Sequence, residues 1–262
     1  MSRIGLAVGR PSIAFRRGMV IPCVLVLAWI VVGSTGLVDR HFLVPFQRVV
    51  TVPFLDPDGR TVWLGLAASL ARMVAGFAIG AGAGALLGFA MGLSRFGNRL
   101  IGPSFTAVRQ VTVFAWIPLL TAWFGNGEEA KLVFVALAAL FPMALNTQQG
   151  LRDVPVAYRE LASVLRLSPR RRFTRVLLPS ALPSIVVGIE IALISAWIGT
   201  VGAEYAMGFG RGVGIFLVQG REQFRMDIVI VGVIALAVVG YLINATFRSL
   251  LARWVPWRGN PS

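Results

Sequence analysis

Six arginines, Arg159, Arg166, Arg170, Arg171, Arg172 and Arg175, crowd one short stretch of an otherwise oily chain. Guanidinium groups offer planar, paired donors, so this stretch suits carboxylates on a partner better than it suits bond-making. Groups that make and break bonds are scarce. Cys23 and His41 are the single cysteine and the single histidine. That excludes a disulfide framework and a Cys/His metal cluster, and argues against the nucleophile–base constellation of an intramembrane enzyme. Lys131 is the one lysine, preceded by Glu128-Glu129-Ala130 rather than a glycine-rich loop. No phosphate-cradling G-x-x-x-x-G-K-[ST] motif is present. No cofactor is expected, and any ATP that drives this chain must be bound by another polypeptide.

The elements that hold these residues are apolar. Hydrophobic residues make up 56% of the 262 positions and charged residues only 14%, against roughly 45–50% and 25% in soluble domains. The apolar residues fall in blocks of about twenty, the length that crosses a ~30 Å hydrocarbon core as helix. The chain is thus expected to be an all-α integral membrane protein. Its net charge of +14 does not point to nucleic acid, because the arginines punctuate apolar spans instead of lining a soluble basic face. Six spans are expected near residues 19–37, 65–93, 103–124, 130–149, 180–203 and 228–249, the third kinked by Pro118. The first follows Arg16-Arg17 with no clean small-residue cleavage site after it, so it reads as an uncleaved helix rather than a signal peptide.

Charge sets the direction. Arginine dominates residues 1–18, 94–102, 150–179 and 248–262, opposed only by Asp153 and Glu160. The alternate connections carry Arg40, Arg48, Arg60, Lys131, Arg211, Arg221 and Arg225 against most of the acids, and are close to neutral. The positive-inside rule then places both termini and the 150–179 loop in the cytoplasm. Arg72, Arg109 and Glu190 remain within spans.

In the second span Gly76, Gly80, Gly84, Gly88 and Gly92 recur every four residues. They share one helix face and make a shallow groove for a neighbouring helix; no G-x-G-x-x-G match or preceding strand supports a nucleotide loop. The arginine-rich loop has its own order. Asp153 and Pro155 open a first short helix, Ser168-Pro169 are the N-cap and first-turn proline of a second, and Pro179 is expected to stop it. Two short helices joined at a bend look like a docking surface.

This segment resembles the cytoplasmic signature of binding-protein-dependent ABC importer permeases, E-A-A, three residues, G, nine residues, I-x-L-P. Here it reads Glu160-Leu161-Ala162, then Arg166, then Val176-Leu177-Leu178-Pro179, with every spacing matched. Leu161 replaces Ala, Val176 replaces Ile, and Arg166 replaces Gly, a residue suited to a tight bend; Ser168-Pro169 offer an alternative break. "MGLSRFGNRL", "WIPLLTAWFGNGEEAKLVFVALAALFPMALNTQQGLRDV", "LPSALPSIVVGIEIALISAW" and the Gly212-Val213-Gly214-Ile215 turn are similar to the branch handling aliphatic sulfonates, taurine and nitrate. The likeness covers about residues 62–250. It implies the type I importer permease fold over one domain, 1–262, with the loop as the coupling helices seated in a groove of the ATPase subunit. It also implies a homodimer, two cytoplasmic ABC ATPase subunits, a periplasmic or lipid-anchored solute-binding protein, and alternating access in a bacterial inner membrane surrounded by lipid.

A charge at the centre of a span costs ~3 kcal/mol on insertion scales, so each needs an explanation. Arg109 begins "RQVTVFAW", where the family commonly shows Arg-x-Val-Pro and this chain has Thr112 in place of the proline. It either lines the solute path and attracts an anion or reaches toward an interface. Glu190 lies where this branch usually carries arginine. It either pairs with Arg109 across the bundle or faces a cavity for a neutral or cationic solute. Asn146, Gln148 and Gln149 are inner-gate or interfacial amides, and Glu204 either braces the 206–227 segment or is a solvated charge. Trp116, Trp123 and Trp197 read as interfacial anchors or packing. An ion-driven secondary transporter is the rival, but it needs several intramembrane ionisable groups and often an inverted repeat.

Overall fold

A computed structural model describes residues 20–35 and 44–254. Every element among them is helical: α1 (Val20–Thr35), α2 (Phe46–Leu55), α3 (Thr61–Leu93), α4 (Arg95–Gln110), α5 (Ile117–Phe124), α6 (Glu128–Arg152), α7 (Val156–Val164), α8 (Pro169–Met207), α9 (Val213–Glu222) and α10 (Met226–Trp254). Four of them, α3, α6, α8 and α10, are long and apolar enough to cross a membrane, and α4 with α5 forms a fifth if the bent pair counts as one span. The expected six would also require α1, which is apolar but sixteen residues long within the described part. Both chain ends, expected in the cytoplasm, lie outside the described residues.

The centre is α6, which packs along both α3 and α8. Met73 of α3, Val135, Ala139 and Met143 of α6, and Ile185, Ala192 and Ala196 of α8 form the main buried cluster. The glycine face of α3 meets α6 almost backbone to backbone. A Cβ at Gly76 would lie 2.5 Å from Val135 Cγ1, and one at Gly84 would lie 2.5 Å from the Leu140 carbonyl oxygen. At Gly80 it would overlap the Ala136 carbonyl outright, at Gly88 it would come within 2.6 Å of the Ala144 oxygen, and at Gly92 within 2.8 Å of Leu151 Cδ1. Close approach of this kind lets dispersion contacts accumulate between helices where water-driven burial is unavailable. A second cluster, Val49, Val52, Val62, Phe216, Ile228 and Val231, joins α2, α9 and the first turns of α3 and α10. At ~1.5 Å per residue, α3 is about 50 Å long, so its ends project beyond a ~30 Å core.

Two prolines act differently from expectation. The third span is broken at Val111–Thr112, where both residues are extended and the axis turns by 91°. Pro118 instead sits in the first turn of α5, where its missing N–H is no loss. In an unbroken helix its ring would strike the Phe114 carbonyl, and the β-branched run Val111-Thr112-Val113 favours extended backbone, so the break moves upstream. Pro179 does not end a helix. The chain runs continuously from Pro169 to Met207, and the strain is absorbed just before the proline by a π turn, Phe173–Leu177, in which the Leu178 N–H donates to the Phe173 carbonyl. Widening one turn makes room for the ring beside the Arg175 carbonyl. The helix that carries the expected fifth span therefore begins not at 180 but at Pro169, inside the arginine-rich loop.

Candidate functional site

The 150–179 loop is built onto the ends of α3 and α6. Arg159 of α7 donates through Nη2 to the Leu151 oxygen at 2.8 Å and the Arg152 oxygen at 3.0 Å, satisfying carbonyls left free where α6 stops. Ala162 is buried against the body of the protein, and Glu160 is exposed. Val156, Leu161, Val164 and Leu165 face outward, Val164 with 79% of its surface exposed. Arg166, the position held by glycine in the signature, has φ +49°. Around it the Leu167 N–H donates to the Ala162 oxygen at 3.1 Å and the Arg166 N–H to the Ser163 oxygen at 3.0 Å. This is a Schellman closure with arginine in the left-handed place. The bend is thus made at Arg166, not transferred to Ser168-Pro169. Ser168 precedes α8 without a side-chain cap bond, and Pro169 opens the helix. Val176 lies in the π turn, followed by Leu178 and Pro179, and α7 packs against that turn.

Arg109, Glu190 and Asn146 are not brought together. Arg109 ends α4 beside the elbow and lines an open cavity of about 280 Å³ with Thr112, Phe114, Phe141 and Ser195. Glu190 accepts instead from Arg248 of α10, at 3.1 Å, which corrects the expected pairing with Arg109. α10 runs alongside α8 and carries the nearer guanidinium, so the buried end of the carboxylate is compensated without crossing the bundle. Asn146 donates to the Pro142 oxygen at 2.8 Å within its own helix and packs against Gly188 of α8. Gln148 donates to Asn98 Oδ1 at 2.8 Å. Trp197 is buried in the core and Trp123 is exposed.

A larger constellation, at the opposite end of the molecule from the loop, was left unassembled by the sequence. Glu204 near the end of α8 is completely buried. It accepts from Arg72 Nη1, from Ser69 Oγ at 2.7 Å and from the Gly214 N–H at 2.8 Å. Arg72 also donates through Nε to Glu128 Oε2 at 2.7 Å and through Nη2 to the Arg211 oxygen at 3.1 Å. Lys131, 1% exposed, bonds Glu128 Oε1 at 3.2 Å and the Phe209 carbonyl oxygen. Ser69 Oγ accepts the Val213 N–H at 3.0 Å. Two cations and two carboxylates thus balance, and the 208–214 loop is wrapped around them. Gly208 and Gly210 supply φ of +66° and +88°, and a Cβ on Gly212 would run into the Glu204 carboxylate. Glu204 is a brace, not a solvated charge. The available signal was charge balance: Arg72 and Lys131 need carboxylates, and Glu128 and Glu204 are acids that end or begin spans on the same side.

Beside this brace, Arg225 of the α9–α10 connection bonds Asp56 Oδ2 at 2.6 Å, Asp58 Oδ2 at 2.9 Å and, at the start of α10, Asp227 Oδ2 at 3.1 Å, clamping the α2–α3 and α9–α10 connections. The Arg225 guanidinium, with the Gly59 N–H, holds the Asp56 carboxyl below the usual carboxylate range, and the Asp56 and Asp227 carboxylates raise Arg225 further.

Residues 76–256 match the family model described as binding-protein-dependent transport system inner membrane component. The chain is 35% identical over 96% of its length, and 91% of the relative's, to a permease protein of Bacillus subtilis named SsuC for aliphatic sulfonates transport. It is 30% identical over 91% of its length, and 90% of the relative's, to the bicarbonate transport system permease protein CmpB of Synechococcus elongatus. Its fold superposes on a chain of the MetNI methionine ABC transporter in inward-facing conformations with a TM-score of 0.57, 23% identity, and coverage of 74% of this chain and 94% of that one. A multi-pass helical body, the signature spacing of the 150–179 loop, and this kinship together place the chain in the binding-protein-dependent transport family, as an inner-membrane permease component of an ABC importer.

Proposed function

We propose that the chain, as one domain over residues 1–262, forms half of a homodimeric pore that imports a small oxyanion. Separate ABC ATPase subunits would grip the 150–179 loop from the cytoplasm, with both termini on that side. A periplasmic or lipid-anchored solute-binding protein would deliver cargo to the opposite end. Relatives are named for sulfonate, taurine, nitrate and bicarbonate transport; the chemistry common to these is a compact group of oxygens carrying negative charge. Arg109 is the cation beside the α4–α5 elbow cavity and would attract that group. Glu190 does not oppose this reading, since Arg248 compensates it. Asn146 would act by setting the α6–α8 contact.

The observation that carries the proposal is the loop's outward apolar face: Val156, Leu161, Val164 and Leu165 are exposed while Arg159 and Ala162 hold α7 to the body. A ligand-driven switch requires contacts better made to one conformation than to another, and an apolar face on a firmly anchored short helix supplies them. Leu161→Glu together with Val164→Glu places charge on that face without touching an internal contact. The expected result is a folded permease that no longer co-purifies with its ATPase subunit and no longer drives sulfonate uptake with ATP. Retained co-purification and uptake would refute the assignment of this face.

A further inference from the structure

Behind α7, on the side away from its apolar face, a cavity of about 440 Å³ opens between Leu93 at the end of α3, Leu151 of α6, Arg159 of α7, and Arg172, Phe173 and Leu177 of α8. Two guanidinium groups line it and, among the described residues, no carboxylate does. Arg159 Nε is buried with no acceptor, although Nη2 of the same group is well bonded. Arg172 is half-buried and its side chain has no partner among the described residues. Arginine stays protonated at any physiological pH, so two such groups around one cavity repel each other and leave a buried donor unmet. The neighbouring Arg170, Arg171 and Arg175 add to the positive field. Apart from the guanidiniums the named lining is apolar, and the mouth lies where α3 stops and α8 begins, among helix ends that project past a ~30 Å core.

We infer that this cavity is a binding site for a phosphate-type oxyanion, held between Arg159 and Arg172. A tetrahedral phosphate pairs with the free Arg172 fork, and its charge offsets the repulsion between the two guanidiniums that line the cavity. Its source is either the phosphodiester of an anionic lipid, whose glycerol and acyl carbons suit Leu93, Phe173 and Leu177, or free phosphate from the cytosol. Once bound, the anion ties α7 and the start of α8 to the ends of α3 and α6. The site rests on loop geometry alone; only its consequence for coupling rests on the importer reading.

The test uses the permease with its ATPase subunits. One arm counts phosphatidylglycerol retained by native mass spectrometry after purification from phosphatidylglycerol-containing nanodiscs, against phosphatidylcholine controls. The other titrates inorganic phosphate in phosphatidylcholine nanodiscs and reads the thermal unfolding temperature. Arg172→Gln touches no internal bond, so it is the primary variant, and Arg159→Gln with Arg172→Gln is the second. Retention of phosphatidylglycerol that weakens about tenfold or more in Arg172→Gln assigns the site to lipid, and a phosphate-dependent rise in unfolding temperature lost in that variant assigns it to the free anion. Indifference of both probes to Arg172→Gln overturns the proposal. So does unchanged binding with loss of the ATPase subunit, which would make a protein carboxylate the partner of Arg172. Neither readout requires ATP or transport, so its failure leaves the importer reading intact, and the reverse holds too.

Discussion

At the residue scale, Arg166 shows backbone conformation prevailing over side-chain preference. The signature's glycine position needs positive φ, and the arginine adopts +49° to close α7. An L-residue in this region costs roughly 1–2 kcal/mol relative to the right-handed form. Arg166→Gly should therefore raise stability by about 1 kcal/mol in thermal unfolding of the purified permease; a fall would mean the arginine side chain holds the loop in a way its contacts do not reveal. The brace at the other end predicts the opposite sign. Glu204→Gln leaves Arg72 buried with only half its compensation, and losing one partner of a buried pair costs about 3–5 kcal/mol. The single variant should unfold at clearly lower temperature, and Arg72→Gln combined with Glu204→Gln should recover part of the loss. A double variant as unstable as the sum of the two singles would show that the charges act independently.

At the scale of elements, the glycine periodicity of α3 declares which face is thin, but not which helix fills it. Gly80 and Gly82 test the difference, because they share an environment of span and sequence and differ in face. A Cβ at Gly80 overlaps the Ala136 carbonyl, whereas nothing lies within 4 Å of one at Gly82. Gly80→Ala should destabilise by about 1–3 kcal/mol through overpacking, while Gly82→Ala should be neutral or stabilising by up to about 1 kcal/mol through helix propensity. Detergent-stability assays of the two variants, side by side, check both signs. Proline positions were less legible. The rule that proline ends or kinks a helix holds locally, yet Pro118 was absorbed at a helix start and Pro179 by a π turn. Both outcomes follow from what the neighbouring elements require of the chain direction, which a local rule does not contain.

At the scale of the whole molecule, two polar structures, the Glu204 brace and the Arg225 clamp, tie the connections at one end, while the basic loop occupies the other. The clamp gives a pH dependence whose sign follows from its cause. Arg225 lowers Asp56 below its ordinary value of 3.8, so the folded state binds fewer protons there than the unfolded one. That stability is fully present above about pH 4 and is lost as the pH falls through the depressed folded value. Asp56→Asn should lower stability at neutral pH by about 1 kcal/mol or less, as for a partly exposed pair, and should flatten the acid side of the stability profile. An unaltered acid limb in Asp56→Asn would assign the acid sensitivity to other carboxylates.

Composition and the roughly twenty-residue length of the apolar blocks determined an all-helical membrane protein, because an oily medium obliges backbone groups to be satisfied internally and runs of that length do so as helix. The family was legible through a resemblance, carried by the signature spacing from Glu160 to Pro179, which the family comparison bears out. What only tertiary structure decided is which charges meet. Arg72, Glu128, Lys131 and Glu204 come from three helices, and Glu190 found Arg248 rather than Arg109. A guanidinium reaches only a few ångströms, so its partner is chosen by how helices far apart in the chain are placed side by side. No spacing along one strand of sequence encodes that placement.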